Sequence, residues 1–307
     1  MNQDHKIIVL GFLLVTLIFV ARNSSGAKMI LDTQNDLGGA TNSQTKISER
    51  KISDEDLVVE KVVNAAVVFN SDKAEDMPSA SSVELLDDAF RPAGFNVRAA
   101  LVKNMSDQTA YLQHNTTLKW PMASLTKLLT ALTALENKTD KQDSNKILTD
   151  IKEMMVLSHN EAADNVEANF TDGNFMELMR SEIAKLGLAD TTVVDVTGLS
   201  PENVSTVVDL EKLVTYIAKN KPEILALSRF PDVEIAGEKY LNINKFSDRV
   251  DFLGGKTGYT DEALGNLASI FSFKGKPVLI IVLGANGKEA RFTQTDAILK
   301  WIYKYYN

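Results

Sequence analysis

The sequence has 307 residues, of which 44% are hydrophobic and 24% charged, a composition typical of a folded globular protein. Its formal net charge of -8 argues against nucleic acid as the main partner, because phosphate binding depends on clustered Lys and Arg side chains. The absence of cysteine excludes disulfide frameworks, thiolate metal sites and cysteine nucleophiles.

The first 28 residues have the pattern of an export signal. Lys6 precedes an uncharged run at 7–21 that is apolar apart from Thr16, and Arg22 follows it. This run suits the core of a signal peptide and is slightly short for a comfortable membrane span. We therefore expect residues 1–28 to be a cleaved signal peptide or a retained N-terminal membrane anchor. The protein would then lie at the extracytoplasmic face of a bacterial cytoplasmic membrane, or be secreted or periplasmic after cleavage.

Residues 29–93 are predicted to form a polar, largely disordered spacer. Asn, Ser, Thr, Gln, Asp and Lys dominate the sequence from 23 to 56, where hydrophobicity is too low to offset the entropy of ordering the chain. An apolar stretch at 57–69 is compatible with a short helix or with a strand. The spacer would let a folded domain work at a distance from a membrane, or would have no function of its own.

Residues 94–307 have the alternation of strands and helices expected of a folded domain. Two strand candidates, 97–102 and 110–112, come first and are joined by a turn. A largely apolar helix is predicted at 124–136. Further helices are predicted at 150–157, 161–170, 175–186, 208–220 and 291–305, and further strands at 251–258, 266–273 and 278–283. Strands at both ends with helices between them predict an α+β domain.

The motif Ser124-Leu-Thr-Lys127 begins the apolar helix. An offset of three puts both side chains on one helix face, where burial lowers the pKa of a lysine and lets it take the serine proton. Backbone N–H groups at a helix start also favour a developing oxyanion. The pattern alone is weakly specific, because Ser43-Gln-Thr-Lys46 matches it without a following apolar helix. Taken by itself, Ser124 would be interpreted as a helix cap.

Two further motifs follow in the chain. Ser158-His-Asn160 lies between two predicted helices, and Lys256-Thr-Gly258 lies on a predicted strand. Lys256 is suited to hold a carboxylate, Thr257 can donate a hydrogen bond, and Gly258 lets another chain approach the strand edge. Ser158-His-Asn160 alone would be an ordinary capping turn. Together and in this order, the three motifs form a recognised serine-acylase signature.

The segments around these motifs resemble the D-alanyl-D-alanine carboxypeptidases of the low-molecular-weight penicillin-binding proteins. The similar segments are 98–102, 122–136, 158–163, 196–200 and 255–261. The resemblance covers 94–307 and implies that these residues are a DD-peptidase catalytic domain. It implies the α+β fold of the penicillin-recognising serine hydrolases, with an antiparallel sheet flanked by helices and a second helical lobe.

The resemblance also implies the reaction, which is removal of the terminal D-Ala from peptidoglycan stem peptides through an acyl-enzyme. β-Lactams would be covalent inhibitors, and neither a metal nor an organic cofactor is implied. Carried over by position, Ser124 would be the acylated nucleophile and Lys127 its general base. Ser158 would relay the proton to the leaving amine, and Asn160 would orient the substrate and Lys127.

The substrate-binding residues follow from the same resemblance. Lys256 and Thr257 would bind the terminal carboxylate of the substrate, beside Gly258. The backbone N–H groups of Ser124 and Tyr259 would form the oxyanion hole.

Two features bear on specificity, one departure from the family pattern and one local similarity. The segment between Ser124 and Ser158 is shorter than is usual in the family, where it builds one wall of the cleft. The stretch 197–206 is similar to the DD-endopeptidases of the family. Cleavage of peptidoglycan cross-bridges is therefore the alternative to carboxypeptidase activity.

Other functions are less well supported by the sequence. A class A β-lactamase needs a deacylating Glu, and Glu238-Lys-Tyr-Leu-Asn242 matches that pattern but lies too close to Lys256 in the chain, so we interpret it as chance. A Ser-His-Asp triad would have to use His114 or His159, and no G-x-S-x-G elbow is present. With His5 as the one remaining histidine, a three-histidine zinc site is not expected. A non-catalytic wall-binding homologue is the alternative from a different functional class.

Overall fold

The structure is a computed structural model that describes residues 92–170 and 174–306. The predicted signal or anchor at 1–28 and all but the last two residues of the spacer at 29–93 lie outside the described residues, so both stay predictions. Within the two described ranges, no helix has both the length and the apolar character needed to cross a membrane.

A five-stranded antiparallel sheet forms the centre of the fold, with two small ribbons beside it. The strands are β1 Ala99–Asn104, β2 Ala110–His114, β3 Trp120–Pro121, β4 Val204–Ser205, β5 Asp232–Ile235, β6 Glu238–Leu241, β7 Phe252–Thr260, β8 Leu264–Phe273 and β9 Lys276–Ala285. The large sheet has the order β2-β1-β9-β8-β7, whereas β3 pairs with β4 and β5 pairs with β6. Strands from both ends of the domain therefore pair in one sheet, and β7 lies at its edge.

Helices from the middle of the sequence and from its end pack beside the sheet. They are α1 Thr126–Asn137, α2 Ser144–Val156, α3 Asn160–Ala168, α4 Phe175–Lys185, α5 Val207–Asn220, α6 Pro222–Leu227 and α7 Ala290–Tyr305. A 3-10 turn, Ala123–Leu125, leads into α1. Helix α2 starts earlier than the predicted 150, because the Asp143 carboxylate accepts hydrogen bonds from the backbone N–H groups of Asn145 and Lys146 at 3.0 and 3.2 Å.

The apolar side chains of the sheet face two separate hydrophobic clusters. Strand β9 shows this alternation, with Val278, Ile280 and Val282 in the cluster that includes α7, and Leu279, Ile281 and Leu283 in the cluster that includes α1. Ten consecutive residues of α1, from Thr126 to Leu135, are buried, as the apolar pattern predicts. The helix that follows Ser124 is therefore held on all sides by the core.

Candidate active site

The fold brings the three sequence motifs together at one edge of the sheet. Strand β7 carries Lys256-Thr-Gly258 and packs against the turn 123–125. Ser158 and Asn160 lie where α2 ends and α3 begins. Three distant parts of the sequence therefore converge beside the edge strand.

The turn that presents Ser124 is fixed by its backbone contacts. Ala123 has a φ of 47°, a left-handed conformation that is uncommon for a residue with a side chain. The Met122 N–H donates to the Asn203 carbonyl at 2.7 Å, and the Asn266 amide donates to the Met122 carbonyl at 3.1 Å. Ser124 thus lies on a strained turn, which the hydrogen bonds of the surrounding residues hold in place.

Lys127 is fully buried and contacts three oxygen atoms. Its Nζ lies 3.1 Å from Ser124 Oγ, 2.8 Å from Asn160 Oδ1 and 2.6 Å from the Thr197 carbonyl oxygen. This places a buried amine within proton-transfer distance of the serine hydroxyl. The predicted pairing of Ser124 with Lys127, and of Lys127 with Asn160, is present in the structure.

The pKa of Lys127 is lowered to about 8 because burial disfavours the charged ammonium. The negative charges of Asp195 and Asp164 act in the opposite direction and limit the shift. At neutral pH about a tenth of the Lys127 side chains would be neutral, compared with fewer than about one in a thousand for an unperturbed lysine. The environment therefore makes Lys127 a usable base.

Ser158 has a left-handed backbone conformation that turns its side chain toward β7. Its φ is 62°, and its Oγ accepts a hydrogen bond from Lys256 Nζ at 2.8 Å. The ring of the next residue, His159, contacts Glu153 instead, with Nδ1 3.1 Å from Oε2. His159, the middle residue of this motif, therefore takes no part in the hydrogen bond between Ser158 and Lys256.

Lys256 is a second buried lysine of the site. Only 1% of it is exposed, and its Nζ donates to Ser158 Oγ at 2.8 Å and to the Thr257 carbonyl at 2.9 Å. Burial holds the pKa of Lys256 well below its ordinary value, and the positive charges of Lys127 and Arg291 add to this effect. An anionic group placed beside it would relieve this desolvation and repulsion.

Gly258 lets β7 lie directly against the serine turn. A Cβ at this position would be 2.9 Å from the Met122 carbonyl oxygen and 3.2 Å from the Ser124 nitrogen. The neighbouring Tyr259 directs its hydroxyl to Asp261 Oδ1, 3.0 Å away. Strand β7 therefore offers its backbone, rather than the Tyr259 hydroxyl, to the site.

Two contributors to the site have no signal in the short motifs. Arg291 of α7 is 2% exposed and donates from Nη1 to the Gly258 carbonyl at 3.1 Å, while its Nε has no hydrogen-bond partner. The Thr197 carbonyl contacts Lys127 from a loop that Asp195 holds in place. Residues 196–200 were part of the family resemblance, but their sequence does not show that a backbone oxygen meets the lysine.

The residues of the alternative functions lie elsewhere. Glu238 is on the exposed strand β6, where its carboxylate accepts a hydrogen bond from the Tyr240 hydroxyl at 2.8 Å. His114 is on β2, at the edge of the sheet opposite β7. Among residues 92–170 and 174–306, no group of three or more His, Cys, Asp or Glu side chains is arranged to hold a metal ion.

Comparison with known proteins gives consistent matches. The family model of the D-alanyl-D-alanine carboxypeptidases matches residues 139–287, a range that contains the second and third motifs. A D-alanyl-D-alanine endopeptidase of Haemophilus influenzae is 31% identical over 203 residues, which are 56% of this chain and 69% of that protein. A D-alanyl-D-alanine endopeptidase of Pseudomonas aeruginosa is 27% identical over 239 residues, covering 66% of this chain and 76% of that protein.

Solved structures give the same result for the fold. Penicillin-binding protein D2 from Listeria monocytogenes, in its ampicillin-bound form, superimposes with a TM-score of 0.60 at 28% identity. The match covers 69% of this chain and 99% of the Listeria chain. The predicted α+β fold of the penicillin-recognising serine hydrolases is therefore confirmed. The chain belongs to the D-alanyl-D-alanine carboxypeptidase family, the serine peptidases of the low-molecular-weight penicillin-binding protein group.

Proposed function

We propose that the protein cleaves peptide bonds after D-Ala in peptidoglycan stem peptides through an acyl-enzyme on Ser124. The observation that carries this proposal is the contact of Ser124 Oγ with Lys127 Nζ at 3.1 Å, in a site where burial lowers the lysine pKa to about 8. A serine hydroxyl within reach of a lysine of lowered pKa supports the assignment of the two residues as nucleophile and base.

Acylation begins with proton transfer from Ser124 Oγ to Lys127 Nζ, while the oxygen forms a bond to the carbonyl carbon of D-Ala. The carbonyl oxygen becomes an oxyanion, which the backbone N–H groups of Ser124 and Tyr259 stabilise. The bond to the leaving nitrogen then breaks, and Ser158 relays to that nitrogen the proton that Lys127 took from Ser124. In the second half of the reaction, water gives a proton to Lys127 and attacks the ester carbonyl carbon. The bond to Ser124 Oγ then breaks, this oxygen takes the proton back from Lys127, and the product acid is released.

Lys256 and Thr257 are proposed to bind the carboxylate at the end of the substrate. Lys256 is buried without an ion pair to any carboxylate of the described residues, and Arg291 adds positive charge behind β7. The positive charge of the site is therefore not balanced by a carboxylate of the described residues, and a bound substrate carboxylate would balance it. β-Lactams carry a carboxylate of their own and are proposed to acylate Ser124 in the same way.

Cleavage of cross-bridges and removal of terminal D-Ala are the two candidate reactions. The relatives in Haemophilus and Pseudomonas are named endopeptidases, and their matches span 69% and 76% of their lengths. This favours the endopeptidase reaction, which the sequence of 197–206 also suggests. The carboxypeptidase reaction is supported by the description of the family model, whose match covers residues 139–287.

Incubation with defined substrates distinguishes these reactions. The purified protein is given a pentapeptide ending in D-Ala-D-Ala and, separately, a cross-linked peptide dimer, and the products are identified by mass. Release of free D-Ala from the pentapeptide supports a carboxypeptidase, whereas conversion of dimer to monomers supports an endopeptidase. Failure to cleave either substrate, with Ser124 unreactive toward penicillin, would instead indicate a non-catalytic wall-binding protein.

A location outside the cytoplasmic membrane completes the proposal. The apolar run at 7–21 is proposed to direct export or to anchor the chain, and the spacer at 29–93 to connect it to the catalytic domain. Peptidoglycan stem peptides would be accessible to the domain at that location.

A further inference from the structure

The proposed base has to direct its lone pair at Ser124 in order to accept the serine proton. Lys127 Nζ contacts Ser124 Oγ, Asn160 Oδ1 and the Thr197 carbonyl oxygen. Of these three oxygens, only the serine hydroxyl is able to donate a hydrogen. A neutral amine has two N–H donors, so it satisfies the site by donating to Asn160 and Thr197 and turning its lone pair to Ser124. The Thr197 carbonyl is therefore part of what orients the base.

We propose that Asp195 is a positioning residue, which holds the Thr197 carbonyl against Lys127 and so directs the lone pair of the base. This inference rests on the proposed function. Asp195 Oδ1 accepts hydrogen bonds from the Thr197 N–H at 2.7 Å, the Thr197 hydroxyl at 2.8 Å and the Gly198 N–H at 2.6 Å. Its Oδ2 accepts from the Ser200 N–H at 2.9 Å. One carboxylate thus fixes both the backbone and the side chain of the residue that contacts the base.

The Asp195 loop is also fastened to the helix that carries the base. The Asn203 amide donates to the Asp195 carbonyl at 2.9 Å and to Thr126 Oγ1 at 3.2 Å. From the next turn of α1, Thr130 Oγ1 donates to the Val196 carbonyl at 2.7 Å. These hydrogen bonds fix the position of the 195–200 loop relative to Lys127, and Asp195 sets the conformation of the loop.

The charge of Asp195 has a second, separable effect. Burial raises the pKa of Asp195, but its hydrogen bonds outweigh this and hold the pKa below its ordinary value, so the group is ionised at neutral pH. Its charge and that of Asp164 on α3 both raise the pKa of Lys127. Glu167 on α3 lies near both carboxylates, and Lys256 approaches from β7. Loss of the Asp195 charge should therefore lower the pKa of Lys127.

Three substitutions separate orientation from charge. Asp195→Glu keeps the charge but displaces the carboxylate by one methylene. Asp195→Asn keeps the oxygen that accepts from Thr197 and Gly198 but loses the charge and the acceptor of the Ser200 N–H, and Asp195→Ala loses the charge and all the acceptors. Asp164→Asn is the matched control, because it removes a charge that acts on Lys127 without a role in the 195–200 loop. The rate of labelling by fluorescent penicillin is measured for each full-length variant from pH 6 to 10 and divided by the folded fraction.

At high pH, where the base is neutral, Asp195→Ala should label about tenfold more slowly than the wild type, and Asp195→Glu should also be slowed. Asp195→Asn should keep most of the wild-type rate there, while the pH at which its labelling rises moves downward. Asp164→Asn should show only the downward shift in pH.

Wild-type rates at high pH in both Asp195→Glu and Asp195→Ala would overturn the inference. If Asp195→Ala does not fold, an undiminished rate at high pH in Asp195→Glu overturns the inference alone. Absence of labelling at Ser124 in the wild type is a different result, which removes the proposed function itself.

Discussion

Lys127 lies in a site where burial, rather than an ion pair, sets its protonation. Its pKa of about 8 lies below the ordinary value of 10.5, so the amine becomes neutral as the pH rises through about 8. We expect the rate of Ser124 acylation to increase over the same pH range, because only the neutral amine accepts the serine proton. Stopped-flow labelling with fluorescent penicillin measures this dependence. A rate that is constant between pH 6 and 9 would contradict the assignment of Lys127 as the base.

Lys256 is expected to contribute to substrate binding through its charge. Loss of a charge-assisted hydrogen bond costs about 1.5 to 3 kcal/mol, which corresponds to roughly 10- to 150-fold in acylation efficiency. Lys256→Gln should show a loss of this size with peptides that end in a carboxylate, measured as the second-order rate constant for acylation. A peptide that ends in an amide is the control. With this peptide, most of the difference in acylation rate constant between the wild type and Lys256→Gln should disappear. An equal preference for the carboxylate peptide in both enzymes would show that Lys256 is not the receptor.

The sequence predicts those site residues that would act through a particular side chain. Ser124, Lys127 and Lys256 were predicted because their chemistry requires a hydroxyl or an amine. Thr197 contacts Lys127 through its backbone carbonyl, which every residue possesses, so its side chain gives no signal. Arg291 reaches the Gly258 carbonyl only because α7 packs beside β8 and β9, and this contact depends on the completed fold.

At the level of elements, periodicity predicted the long helices and the strands of the central sheet. Strand β7 continues past the predicted end at 258, and β9 extends beyond 278–283 at both ends, because pairing with β8 orders these less hydrophobic ends. The hairpin of β5 and β6 was not predicted, since its sequence carries charges at 232, 234, 238 and 239 and most of its positions are exposed or half-buried. The two strands pair because the chain turns at Ala236 and Gly237, both of which have a positive φ, and hydrophobic alternation does not contribute a signal.

The contact between the 195–200 loop and the serine turn should be sensitive to an added methyl group. Gly198 has a φ of 81°, and a Cβ there would lie 1.9 Å from the Ala123 carbonyl oxygen. Gly198→Ala should therefore displace the turn that presents Ser124, slowing acylation and lowering the free energy of unfolding by about 1 to 3 kcal/mol. Thermal unfolding and penicillin labelling measure the two effects.

Gly187→Ala is the matched control for this substitution. Gly187 has a φ of 62°, but a Cβ there would have no atom within 4 Å. The variant should show the cost of backbone strain, on the order of 1 kcal/mol, with an unchanged rate of acylation. Equal effects of the two substitutions on acylation would show that the close approach of Gly198 to Ala123 does not support the serine turn.

At the scale of the whole molecule, export is expected to depend on residues 1–28. Deletion of these residues should leave the protein in the cytoplasm and still able to be acylated, because the predicted catalytic domain begins at 94. Cell fractionation followed by penicillin labelling measures location and activity together. A full-length protein that fractionates with the cytosol would contradict the predicted signal or anchor.

The central claim is that Ser124 is the residue that becomes acylated. The most direct test is to label the full-length protein with penicillin and to map the adduct by mass spectrometry of its peptides. The adduct should lie on Ser124, and Ser124→Ala should take up no label while unfolding at nearly the wild-type temperature. An adduct on Ser43 or Ser158, or undiminished labelling of Ser124→Ala, would contradict the account.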